Sequence, residues 1–151
     1  MPYALSPAPS NKHQRLASEL SMLFGNALTG CKKCNVFQPV NYKIKDDTVL
    51  QPDLSMLCRP FTHPNYIDFP PTLVVEILSP SSNSKDNNEK YELYEMNGVK
   101  YYLMIDPSFQ KLEIFELVDN TYQPMAVNPS SYKFDLEECK ATIDFTTLFD
   151  E

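Results

Sequence analysis

Between Lys12 and about Leu28 the apolar positions Leu16, Leu20, Leu23, Phe24 and Ala27 recur at intervals of three and four. That period predicts a helix with one buried stripe. Ser10 or Asn11 is placed to cap its start, and Gly30 to end it. The period then shortens. Asn35 to Ile44 alternates around Pro39 and predicts one strand with a kink or an edge position. Asp46-Asp47 predicts a turn, and Val49 to Leu57 the next strand. Cys58 to Pro71 is Pro-rich and aperiodic, as surface loops are.

Thr72 to Leu78 is an aliphatic run interrupted only by Glu76. A run of that kind suits a central strand buried on both faces. A polar turn over residues 79–84 leads into a helix from about Asp86 to Asn97. Asp86 and Glu89 have the spacing of a capping box, and Gly98 is a suitable C-cap. Val99 to Ile105 and the cleanly alternating Lys111 to Val118 predict two more strands, with Asn120 to Val127 as the hairpin partner of the second. Tyr3 to Leu5 suggests an edge strand. The tail from Asp135 predicts one short strand and a final turn at Thr146 to Phe149. Helices on both faces of a sheet are the economical packing for this order.

At 151 residues the chain is sized for one domain, able to bury roughly 70% of its unfolded surface. No apolar run reaches membrane-spanning length, and MPYALSPAPS lacks the basic and apolar regions of an export signal, so a cytoplasmic protein is expected. The net charge of −7 works against tight nonspecific nucleic-acid binding, which needs basic side chains to neutralise phosphates. It leaves room for a metal-dependent site. The cysteines are Cys31, Cys34, Cys58 and Cys139. CKKC has the spacing of half a zinc site or of a redox pair, but no second CxxC follows and neither His13 nor His63 stands at finger-like spacing. The four are therefore expected as unpaired, reduced thiols on the surface or in loops.

The candidate chemistry lies between Val49 and Pro107. Asp53 follows Pro52 on a strand-like run, Glu76 interrupts LVVEIL, and Lys90 shares a helix face with Leu93, Tyr94 and Asn97. A buried charge is costly unless it is paired or binds a metal. Hard cations such as Mg²⁺ take one or two carboxylates plus water and substrate phosphate. Asp53 and Glu76 supply such carboxylates if their strands are neighbours, the backbone carbonyl of Ile77 offers a further oxygen, and Lys90 suits a water-orienting or phosphate-stabilising role. The plainer alternatives are a turn role for Asp53 and a structural ion pair of Glu76 with Lys90 or Lys100. The plain reading of His13 is a surface residue at a helix start.

Taken together, PSNKHQRLASEL, VLQPDLSML, PPTLVVEILSPSS, NEKYELYEMNGVKYYLMIDP and KLEIFEL resemble the bacterial putative restriction endonuclease family within the PD-(D/E)XK nuclease superfamily. The resemblance runs from about Tyr3 to Val127. It implies an α/β, three-layer restriction-endonuclease-like fold with a mixed central sheet flanked by helices. It also implies Asp53 and Glu76 as the metal-binding acids, Mg²⁺ or Mn²⁺ as cofactor and DNA as substrate, with a homodimer expected. The superfamily lysine stands two positions after the glutamate, where this chain has Leu78, so the basic role passes to Lys90. Gln51 and His13 match recurrent family positions. Relatives carry an N-terminal segment ahead of the part matched by YALSPAPS, so a segment is expected to be missing here. The competing reading is a non-catalytic nuclease-like scaffold that binds protein or nucleic acid. A zinc or redox protein built on CKKC is the third.

Overall fold

The computed structural model describes residues 10–79 and 84–150; the suggested edge strand at Tyr3 to Leu5 lies outside them. Helix α1 (Asn11–Ala27) starts at Ser10, whose side chain accepts from the His13 N–H and so satisfies one of the orphan donors of the first turn. Its stripe is realised as expected, with Leu16, Leu20 and Phe24 buried. The following segment differs from expectation. Asn35 to Ile44 is not one strand but two, β1 (Asn35–Phe37) and β2 (Tyr42–Lys45), in different sheets. Val49 to Leu57 likewise divides into β3 (Thr48–Leu50) and β4 (Leu54–Leu57), interrupted at Gln51-Pro52-Asp53. The two breaks share a cause: Pro39 and Pro52 lack the N–H that a ladder needs.

The central strand is β5 (Leu73–Ile77), buried at all five positions. Helix α2 (Ser84–Met96) follows, and Asp86 lies within its first turn rather than ahead of it. Gly98 takes a positive φ of 81°, a conformation open to glycine at little cost. The remaining strands are β6 (Tyr101–Asp106), β7 (Lys111–Val118), β8 (Thr121–Val127), β9 (Ser131–Asp135) and β10 (Lys140–Asp144). The tail from Asp135 carries its expected short strand, β10, and the expected turn at residues 146–149. The unexpected element is β9 just ahead of it, which pairs with β10 as a hairpin.

Six strands form a mixed sheet in the order β1-β4-β5-β6-β7-β8. The β5–β6 pair is parallel, joined through α2 as a parallel crossover requires. The other pairs are antiparallel. Because successive strand residues point to opposite faces, the sheet feeds two cores. Leu54, Met56, Leu73, Val75, Ile77, Leu103 and Ile105 pack with α1 and the β9–β10 hairpin through Leu20, Phe24 and Phe134. Leu57, Val74, Tyr102 and the partly buried Phe115 pack with α2 through Tyr94 and Tyr91. This is the three-layer α/β arrangement implied by the resemblance.

The cysteines overturn the expectation of unpaired thiols. Cys31 is joined to Cys139 and Cys34 to Cys58; Cys31 and Cys34 are buried. The partners are 108 and 24 residues apart in sequence, separations that no local spacing rule connects. Both bridges tie the loop after α1 to more distant elements.

Candidate active site

The break between β3 and β4 places Asp53 at the start of β4, against the C-terminal end of β5. The Asp53 N–H donates to the Val75 carbonyl at 3.0 Å, and the Ile77 N–H donates to Asp53 Oδ2 at 2.7 Å. The carboxylate thus accepts a bond from the neighbouring strand's backbone while its own amide bonds the same strand. On the other side, His13 Nε2 lies 3.0 Å from Asp53 Oδ1, with both side chains largely buried. An ionised carboxylate only accepts, so that ring nitrogen carries the proton.

Glu76 faces the opposite way from its neighbours Val75 and Ile77, toward α2. It is 4% exposed. The Tyr94 hydroxyl donates to Oε2 at 2.6 Å, and Lys90 Nζ stands 3.5 Å from Oε1. Burial pushes the carboxyl up to about 7; Lys90 and the Tyr94 hydrogen bond pull it down, and the Asp53 charge pushes it up. The net direction follows from desolvation outweighing one partly exposed cation. Tyr94, itself fully buried, is held well above the ordinary tyrosine value, first by burial and then by Glu76. It remains a neutral donor.

The structure therefore brings Asp53, Glu76 and Lys90 together across β4, β5 and α2. The structural ion pair Glu76–Lys90 is real, whereas Lys100 donates to the Asp135 carbonyl instead. Ile77 contributes its N–H to Asp53. Gln51 donates to the Asn41 side chain. Sequence reasoning placed His13 on the surface and counted Tyr94 only as part of an apolar stripe, yet both hold a site carboxylate. The signal for Tyr94 was its position four residues after Lys90, one helical turn on the same face. For His13 only the recurrent family position pointed there, since helix-to-strand docking has no local signature.

Among the described residues, no group of three or more His, Cys, Asp or Glu side chains is placed to hold a metal ion. The oxygen-only pair Asp53 and Glu76 nevertheless suits Mg²⁺, which keeps several waters and needs only one or two carboxylates. Among the described residues each of the four carboxylate oxygens has a partner, and a carboxylate oxygen can accept more than one bond. The mutual repulsion of the two carboxylates, which raises Glu76, is what a cation between them relieves.

Residues 2–146 match the family model Uma2, described as putative restriction endonuclease. The chain belongs to this family. An uncharacterized protein of Synechocystis sp. is 30% identical over 129 residues, 78% of this chain and 63% of that protein. The chain thus spans under two thirds of that relative's length. A crystal structure of a putative nuclease belonging to DUF820, from Anabaena variabilis, superposes with a TM-score of 0.74 at 18% identity, covering 95% of this chain and 83% of the other. At that identity the likeness establishes the restriction-endonuclease-like fold. Among the described residues no helix is long and apolar enough to cross a membrane.

Proposed function

We propose that this chain is a nuclease that hydrolyses DNA phosphodiester bonds with a divalent cation, Mg²⁺ or Mn²⁺, at Asp53, Glu76 and Lys90. The observation that carries the reading is the meeting of two carboxylates and an amine from three separate elements, with one acid 4% exposed on the central strand. The cation would be held by Asp53 and Glu76, with the Ile77 carbonyl as a further oxygen, and supplies a polarised phosphoryl group and a water of lowered pKa.

The protein's own residues prepare that place. The Ile77 N–H and His13 fix the two oxygens of Asp53, so its orientation costs nothing further when a ligand arrives. Tyr94 does the same for Glu76 Oε2. Glu76 must be ionised to serve as a ligand, and with its carboxyl up near 7 that ionisation falls in the neutral range. Lys90 is over a third exposed and its contact with Glu76 is long, 3.5 Å. That leaves its ammonium group able to turn toward a phosphate oxygen and stabilise the charge that develops there.

A nuclease-like scaffold that binds without cutting is the second reading, favoured by the net charge of −7, which gives DNA few phosphate contacts. Calorimetry with Mg²⁺ and Mn²⁺ on the wild type, Asp53→Ala and Glu76→Ala separates the two. Binding by the wild type that both substitutions abolish is expected. A folded wild type that binds neither cation, even with DNA present, leaves the scaffold as the better account.

A further inference from the structure

The four cysteines have no part in the chemistry proposed above, yet they gather at one point. Cys31 and Cys34 are the ends of a four-residue turn closed by the Cys34 N–H donating to the Cys31 carbonyl at 3.0 Å. A turn of this kind holds its first and last Cα atoms within about 7 Å, so both bridges begin side by side. From there they reach two other segments. β1 and β4 are antiparallel with Asn35 opposite Leu57, and the next pair along the ladder is Cys34 with Cys58. The Cα atoms of these two are 3.9 Å apart, closer than the usual disulfide span of about 4.4–6.8 Å. Cys139 arrives from the β9–β10 connection, 5.9 Å from Cys31 between Cα atoms. Beside it Glu138 pairs with Lys33 at 3.4 Å.

We propose that, in its reduced form, the protein uses Cys31, Cys34, Cys58 and Cys139 as a single four-thiolate site for one Zn²⁺ ion. With the cysteines paired as disulfides, no metal cluster exists among the described residues. Reduction changes that. Each S–S bond takes two electrons and two protons from a dithiol reductant, which leaves as its own disulfide, and four thiols result. Zn²⁺ then displaces their four protons. The donor set is C-x₂-C plus two further cysteines, the composition of closed structural zinc sites. At a Zn–S distance of about 2.3 Å, sulfurs at tetrahedral corners stand about 3.8 Å apart. Within each pair the Cα atoms are already close, at 5.9 and 3.9 Å, and the turn holds the two pairs side by side.

Charge and surroundings fit the same reading. A four-thiolate zinc site carries two negative charges, and Lys32 and Lys33, both exposed, lie inside the turn. Cys31 and Cys34 are 8% and 3% exposed and sit at the edge of the α1-side core, against which Cys58 and Cys139 also pack. Such a site would staple the loop after α1, the end of β4 and the β9–β10 hairpin with one ion. It lies outside the Asp53–Glu76 cluster, so the two sites are separately testable.

The test is zinc content per chain, by atomic spectroscopy, of protein purified and dialysed under a non-chelating reductant. The wild type is expected to retain one zinc ion. Asp53→Asn is expected to retain it too, and Cys58→Ser and Cys139→Ser to lose it. Because a serine at either position can loosen the fold, the wild type is also followed alone. Co²⁺ added to the reduced, metal-stripped protein is expected to give the visible spectrum of tetrahedral thiolate coordination, and prior oxidation to both disulfides to abolish it. A reduced, folded wild type with no zinc and no cobalt spectrum overturns the proposal. So does stoichiometric zinc that persists in Cys139→Ser.

Discussion

Replacing Glu76 by glutamine keeps the side chain's shape and an oxygen for the Tyr94 hydroxyl, while removing the ionisable group. In the wild type the carboxyl lies at 4.5 when exposed and is pushed up to about 7 by burial in the folded chain. Below pH 4.5 it is protonated in both states and contributes no pH dependence. Between the two values the unfolded chain releases its proton and the folded chain keeps it, so stability falls as pH rises. Above about 7 both states are ionised and the loss is complete. Integrating between those limits gives about 3 kcal/mol, a large fraction of the stability of a small domain. Glu76→Gln is therefore expected to gain about 3 kcal/mol relative to wild type between pH 4.5 and pH 8. Urea unfolding of both proteins across that range, with a chelator and at constant ionic strength, measures the difference and cancels the titrating groups that do not feel the Glu76 charge. Two stability curves that stay parallel through the whole range would refute the reasoning.

Tyr94→Phe removes the hydroxyl that donates to Glu76 Oε2; urea unfolding is expected to show a loss of about 1–3 kcal/mol from the buried acceptor left unpaired, and an unchanged midpoint would contradict that bond. Phe24→Ala empties a fully buried position against Phe134 and is expected to cost about 3–5 kcal/mol in the same assay. His13→Ala leaves Asp53 Oδ1 without its donor and is expected to weaken Mg²⁺ or Mn²⁺ binding by about 10- to 100-fold in calorimetry; an unchanged affinity would remove His13 from the site.

Those parts of the fold that answer to local physics were readable in the chain. β7 runs from Lys111 to Val118 as its alternation predicts, because one face meets a core and the other is wetter. β5 was legible because a strand with both faces covered needs an aliphatic side chain at nearly every position. Its one exception, Glu76, marked the site for the same reason. The breaks at Pro39 and Pro52 were visible as prolines but not as changes of sheet, since nothing local says that β2 and β3 leave to form their own ribbon.

The site itself was half legible. Asp53, Glu76 and Lys90 stood out as charges on elements that bury apolar faces. His13 did not, because its role depends on the start of α1 docking beside a residue 40 positions later. The cysteine pairing was hidden by distance as well. A separation of 108 residues is set by the route of the whole chain, so the CKKC spacing alone showed a possible half-site without its partners.

Cleavage of supercoiled plasmid DNA by wild type, Glu76→Gln and Lys90→Met, each with Mn²⁺, with Mg²⁺ and with a chelator, tests the central claim most directly. The proposal predicts nicked or linear product from the wild type with a cation, none with chelator, and a loss of at least about a hundredfold in both variants. No product from folded, cation-loaded wild type, or equal product from all three proteins, would contradict it.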